Sequence, residues 1–102
     1  MNTERAADAM DALGAPVRLE IYRMLVRAGG EGLTIGRIQQ RTGIPRSTLS
    51  HHLHRLIDSR LVSSEKSGTS LICRADYQAM NQLVGFLSDE CCVDEKRESD
   101  VA

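Results

Sequence analysis

The densest group of hydrogen-bonding side chains lies between residues 46 and 55, where the chain reads Arg-Ser-Thr-Leu-Ser-His-His-Leu-His-Arg. Short hydroxyls, imidazoles and guanidinium groups can bond to the edges of nucleic-acid bases without filling the groove that exposes them. Leu49 and Leu53 are four residues apart, so a helix would place both on one side and leave the polar residues on the others. The pattern predicts a helix that packs through its leucines and offers a polar face to DNA.

The three histidines of this segment allow a second interpretation. His51 and His54 would share a helix face at a spacing of three, which is one arrangement for metal ligands. A zinc site needs further ligands, and the segment offers no fourth ligand or acid. A plain solvated face is the remaining alternative, and contact with DNA is the interpretation that we favour.

The elements around this segment follow from apolar periodicity, caps and turn residues. Helices are predicted over Thr3–Leu13, from Pro16 to Gly29-Gly30, over Ile35–Thr42 and about Arg46–Ser59, and after Asp76; strands are predicted over Leu61–Lys66 and Ser70–Ala75. The third and fourth helices, separated by a short turn at Gly43, form a helix-turn-helix, whose second helix enters the major groove of DNA. The predicted fold is mostly α with a small β-hairpin, in the order α-α-α-α-β-β-α. Residues 1–93 would form one domain, and residues 94–102 a charged, disordered tail.

Two predicted stripes of apolar residues mark the first and last helices. The first stripe comprises Ala6, Ala7, Met10 and Leu13, and the second Met80, Leu83, Val84, Leu87 and Cys91. A chain of 102 residues builds only a modest core, so burying further apolar surface between two copies would stabilise it.

Charge is unevenly distributed although the net charge is only −1. From Arg37 to Arg74 there are seven basic residues against two acids, whereas six acids lie between Asp89 and Asp100. A basic middle with acidic ends is typical of a protein that turns one face to phosphate, although many such runs are simply solvated.

Two segments resemble the ArsR/SmtB family of winged helix-turn-helix repressors: Ala12–Ile21, and Thr42–Leu53 with its Ser-x-x-Ser-His-His-Leu pattern. The resemblance implies a homodimer joined through the first and last helices, on a near-palindromic operator with half-sites one turn (~34–36 Å) or a multiple apart. By position, it assigns base-edge contacts to Arg46, Ser47, Ser50 and His51. Contacts with the DNA backbone fall to Thr48, His52, Arg55 and the hairpin tip Lys66, Ser67 and Gly68.

Members of this family usually release DNA when an effector binds, but neither of the familiar metal sites is present here. The third helix contains no cysteine and the last helix no histidine. Three cysteines remain, and soft thiolates select thiophilic ions such as trivalent arsenic. The adjacent Cys91 and Cys92, with Cys73 as a further candidate, are predicted to bind such an ion or to be oxidised. The alternative is that Cys91 and Cys73 are small core residues.

Other classes of function fit less well. The sequence shows no nucleophile–base arrangement, Gly-rich phosphate loop or paired acids, so an enzyme is not expected. Without a membrane-length apolar run or a secretory signal, we expect a cytoplasmic protein. A winged helix that binds another protein would show exposed apolar residues on its recognition face, where this chain has Ser, Thr, His and Arg. A regulator without any sensor stays open as an alternative.

Overall fold

The computed structural model describes residues 1–95. Five helices and three strands follow one another as α1 (Thr3–Leu13), α2 (Pro16–Ala28), β1 (Leu33–Thr34), α3 (Ile35–Thr42), α4 (Arg46–Asp58), β2 (Val62–Ser67), β3 (Ser70–Ala75) and α5 (Tyr77–Ser88). One turn of 3-10 helix, Gly29–Glu31, connects α2 to β1. The predicted tail lies mostly outside the described residues, and its disorder stays a prediction.

Helix starts and stops lie close to where local sequence places them. The Thr34 hydroxyl accepts a hydrogen bond from the backbone N–H of Arg37 at 3.1 Å, which caps α3. The Asp76 carboxylate accepts one from the N–H of Ala79 at 3.0 Å and caps α5 in the same way. Gly43 ends α3 in the left-handed conformation at φ 72°, which glycine adopts without strain.

The three strands form one antiparallel sheet in the order β1-β3-β2. Leu33 pairs with Cys73 at one side of β3, and the hairpin on the other side closes at Ser67 opposite Ser70. The sequence pattern predicted the hairpin but not β1, because a strand of two residues is too short to show an alternating pattern. The confirmed winged fold therefore runs α-α-β-α-α-β-β-α.

The core joins one face of every helix to the sheet. Its largest fully buried side chains are Ile21, Leu25, Ile38, Leu49, Leu53, Leu56, Leu61 and Cys73. In α1 the predicted stripe was wrong in part: Ala6, Ala9 and Ala12 are buried, whereas Met10 is 43% exposed. Alanines at this face let α1 approach its neighbours closely, and the larger apolar side chain is left outside.

Several apolar side chains remain on the surface of the described chain. Val84 and Leu87 in α5 are each 59% exposed, and Leu19 in α2 is 44% exposed. With Met10 they come from the first, second and last helices. No helix among the described residues is long and apolar enough to cross a membrane.

Candidate DNA-binding interface

The turn between α3 and α4 aims the second helix outward. After the left-handed Gly43, the Thr42 hydroxyl accepts from the N–H of Ile44 at 3.3 Å and donates to the carbonyl of Ile38 at 2.8 Å. Pro45 then supplies the residue before the first helical turn. No side chain within the described residues caps α4, so its first N–H groups are free donors at the end where a helix attracts phosphate.

Leucines hold α4 on the protein, and polar residues cover its outer side. Leu49, Leu53 and Leu56 are buried. The residues predicted to contact DNA lie on the remaining surface: Arg46, Ser47, Thr48 and His51 are exposed, and Ser50 and His52 are half-buried. The structure thus places seven of the predicted residues, including Arg55, on a single helix, with five of them in its first six positions.

The β2–β3 hairpin forms the wing. Lys66, Ser67 and Gly68 are exposed at its tip, where Gly68 has a φ of 62°. The ladder from Val62–Ala75 to Ser67–Ser70 is continuous, so the tip is held on a regular two-stranded arm. A basic and hydroxyl-bearing tip on such an arm suits contact with a phosphate backbone.

Arg55 lies apart from the other predicted residues because it is tied to α1. Its Nη2 donates to Asp11 Oδ2 at 2.7 Å and to Asp8 Oδ1 at 3.0 Å. Hydrogen bonding to Asp11 raises the pKa of the Arg55 guanidinium further. The sequence does contain a signal for this contact, because Asp8 and Asp11 are three residues apart and place two carboxylates on one face of α1. It was not connected with Arg55, which is 44 residues away from Asp11 along the chain.

His52 sits where α4 approaches α2. Burial, followed by the nearby Arg18 and His51, lowers the pKa of its imidazole. Its Nδ1 is buried and has no hydrogen-bond partner within residues 1–95. Burial therefore disfavours the charged form of the His52 imidazole.

Comparison with known proteins agrees with this geometry. A family model described as a helix-turn-helix domain matches residues 13–65, which is more than half of the chain. The HTH-type transcriptional regulator YgaV of Escherichia coli K12 is 30% identical over 91 residues, covering 89% of this chain and 90% of YgaV. The chain belongs to the ArsR family of winged helix-turn-helix transcriptional regulators.

Two solved structures extend the comparison. An ArsR-like transcriptional regulator from Rhodococcus sp. RHA1 superposes with a TM-score of 0.81 at 23% identity, covering 96% of this chain and 90% of that one, and shows the common fold. The homodimeric winged helix-turn-helix DNA-binding domain of Mb0332 from Mycobacterium bovis gives a TM-score of 0.69 at 26% identity, with 86% and 82% covered. This ArsR-family chain is thus a DNA-binding transcriptional regulator and not an enzyme.

The cysteines occupy two different settings in this ArsR-family fold. Cys73 is fully buried in β3, and burial raises the pKa of its thiol. Cys91 and Cys92 are exposed, with their sulfurs 3.5 Å apart. The prediction that Cys91 belongs to the apolar stripe of the last helix was wrong, because α5 ends at Ser88 and Cys91 lies in the following turns.

The paired thiols lie in an acidic segment. Hydrogen bonding with Cys91 is the largest cause that raises the pKa of the Cys92 thiol, and bonding with Glu95 raises it further. Within residues 1–95 there is no group of three or more His, Cys, Asp or Glu side chains that could hold a metal ion. Within the described residues of one chain, a metal ion at this site would therefore have two donors, the sulfurs of Cys91 and Cys92.

Proposed function

We propose that the protein is a cytoplasmic homodimeric repressor that binds a near-palindromic operator through α4 and the wing of each copy. The observation that carries the proposal is the outer face of α4, where hydroxyl, imidazole and guanidinium groups stand on a helix fixed by three buried leucines. Arg46, Ser47, Ser50 and His51 would read base edges, and Thr48, His52 and the wing tip Lys66–Gly68 would contact the backbone.

A second copy of the chain is supported by the exposed apolar residues. Val84 and Leu87 lie three positions apart on α5, so they form one apolar strip. Met10 of α1 and Leu19 of α2 are also more exposed than large apolar residues in a closed core. Mb0332, which has the same fold, is homodimeric. Two recognition helices related by a two-fold axis would match the symmetry of the operator.

We further propose that a thiol-directed signal at Cys91 and Cys92 releases the DNA. Both thiols are exposed, and 3.5 Å between their sulfurs lets both reach one thiophilic ion, given metal–sulfur bonds of about 2.3 Å. Trivalent arsenic is one candidate, and oxidation of the pair is the other. The buried Cys73 would not react in the folded protein.

Operator binding is tested with DNA from the region upstream of the protein's own gene, at two salt concentrations. We expect binding that weakens with salt. Arg46→Ala should weaken it about 5- to 150-fold, since a bidentate base contact contributes about 1–3 kcal/mol. The exposed Arg5 on α1 provides the control, because Arg5→Ala removes the same charge near Asp58, at the opposite end of α4 from Arg46. Equal losses in the two variants, or no specific binding at all, would refute the DNA-reading role of α4 and favour a protein-binding module.

The thiol proposal is tested by adding arsenite or an oxidant to the protein–operator complex. Release from the wild-type protein and retention in the Cys91→Ser, Cys92→Ser double variant are expected. Cys73→Ala leaves the pair intact and should behave as the wild type. If the double variant still releases DNA, the signal acts elsewhere. If no thiol reagent affects the wild type, a regulator without this sensor is the better description, and the operator-binding role stands.

A further inference from the structure

A cavity of about 450 Å³ lies where the end of α2, the 3-10 turn Gly29–Glu31, β1 and α3 meet. No residue of the recognition helix α4 lines it. Three arginines line it: Arg27 from α2, and Arg37 and Arg41 from α3. Because Arg37 and Arg41 are four residues apart, they project from the same face of α3. Three arginines from two helices therefore line one concave space.

The charge of this cavity is not balanced by the protein around it. Among the residues that the structure describes, Glu31 is the single acidic residue in the lining, against three arginines. Within residues 1–95, the ion pairs involve Arg55 and Arg74, and none involves Arg27, Arg37 or Arg41. Like charges gathered in a concavity repel each other and concentrate anions from solution. The electrostatics of the cavity thus favour an anionic ligand.

The floor of the cavity is apolar and is set by the sheet. Leu33 of β1 and Ile72 of β3 both line it, and the two strands are paired there, with Thr34 opposite Ile72. Gly32 packs so closely on β3 that any added Cβ would clash with the carbonyl oxygen of Cys73. The floor is therefore built before any ligand arrives, which reduces the entropy cost of binding.

We propose that this cavity binds a small organic anion that has a carboxylate or phosphate group and an apolar body. The arginines would hold the charged group through charge-assisted hydrogen bonds, and Leu33 and Ile72 would contact the apolar part. The phosphate backbone of DNA is the other source of anionic groups. The small ligand fits better, because no residue of α4 or of the wing tip lines the cavity and a DNA backbone has no need of an apolar floor.

The cavity is also connected to the wing, so the inference deepens the proposed function and rests on it for its regulatory meaning. Arg74 Nε donates to the carbonyl oxygen of Gly30 at 2.8 Å, in the 3-10 turn that also contains Glu31. The same guanidinium pairs with Glu65 of β2 through Nη1 at 3.0 Å. A ligand that shifts the turn would thus act on a side chain that also holds a wing strand.

The binding test uses the full-length protein, labelled with ¹⁵N and free of DNA, titrated with phenylphosphate and separately with neutral benzyl alcohol. We expect phenylphosphate, and not the alcohol, to shift the amide resonances of Glu31, Leu33 and Arg37. Arg37→Gln combined with Arg41→Gln should weaken binding on the order of tenfold, since hydrogen bonds to charged groups are lost. Arg5→Gln combined with Arg60→Gln removes two exposed arginines that do not line the cavity and serves as the control.

Three outcomes would overturn the proposal. The first is the absence of saturable shifts with phenylphosphate at millimolar concentration, and the second is equal weakening in both double variants. The third is that a non-specific DNA duplex shifts the amide resonances of Glu31, Leu33 and Arg37 whereas phenylphosphate does not. That result would assign the arginines to the DNA backbone. Operator binding by the wild-type protein without phenylphosphate is measured separately, so failure of this proposal is distinct from failure of the proposed function.

Discussion

Helices α4 and α5 have a similar spacing of apolar residues, but their apolar side chains differ in how far the rest of the chain buries them. In α4 the three leucines are at most 1% exposed, whereas Val84 and Leu87 of α5 are each 59% exposed. Helix α4 lies between other elements of its own chain and leaves only polar groups outside. Helix α5 follows the wing, and no other element within residues 1–95 covers Val84 and Leu87 on its outer face.

This difference separates two kinds of surface that helical periodicity describes in the same way. An apolar strip that is covered within the chain fixes the orientation of a helix, and the opposite polar face can then serve recognition. An apolar strip left uncovered on a chain of this size indicates association, because it offers further apolar burial. Substitutions in the two helices should therefore affect different measurable quantities.

The largest expected effect is on stability, from Leu53→Ala in α4. Removing a fully buried leucine side chain should lower the free energy of unfolding by about 2–5 kcal/mol, measured by urea denaturation at fixed protein concentration. Leu87→Ala is the matched control, because the same atoms are removed from an exposed site. A comparable loss of stability in both variants at protein concentrations where the chain is monomeric would contradict the comparison.

The second effect is on self-association, from Val84→Asp combined with Leu87→Asp in α5. Two carboxylates in the proposed dimer interface should weaken the dimer by at least about a hundredfold, as judged from the cost of burying unpaired charges. Analytical ultracentrifugation measures the change, and circular dichroism verifies that the helices are retained. Asn81→Asp combined with Gln82→Asp adds equal charge at exposed polar positions of the same helix. An unchanged dimer in the Val84/Leu87 variant would place the interface elsewhere.

A smaller effect concerns Arg55 and tests whether this residue acts as an anchor, holding α4 on α1, or as a contact with DNA. Because its guanidinium binds Asp8 and Asp11, we expect Arg55→Gln and the double variant Asp8→Asn, Asp11→Asn to reduce operator affinity by similar factors. The stability change should stay within about 1 kcal/mol, as for exposed ion pairs. The salt dependence of operator binding should be unchanged, since an anchor releases no counterions. A reduced salt slope for Arg55→Gln alone would instead assign Arg55 to a phosphate.

The smallest effect is the pH dependence contributed by His52. Burial lowers the pKa of this histidine in the folded chain below its unfolded value of about 6.5. Its contribution to stability is therefore complete above that value and is lost as the pH falls below it. His52→Gln should reduce the decline in the free energy of unfolding between pH 7.5 and 5.5, measured by urea denaturation. His54→Gln, at an exposed position of the same helix, controls for the loss of an imidazole from α4.

Much of the fold and of the candidate site could be predicted because the signals are local. Thr34, Gly43 and Asp76 set helix ends through contacts within a few residues. The Ser-x-x-Ser-His-His-Leu pattern likewise places its polar and apolar residues on opposite sides of one helix. Local chemistry also identified the exposed pair Cys91 and Cys92, although it extended α5 too far.

The features that escaped prediction depend on segments distant in sequence. Strand β1 exists because Leu33 pairs with Cys73, and the carboxylates of α1 receive Arg55 because α4 crosses nearby. The arginine-lined cavity likewise joins α2 and α3 over a floor that includes β3. The sequence by itself determined the helices, the hairpin and the polar recognition face, since helical period and capping act over a few residues. Which apolar face is covered, and which charges meet, was decided only by tertiary packing, because those contacts join residues about 40 positions apart.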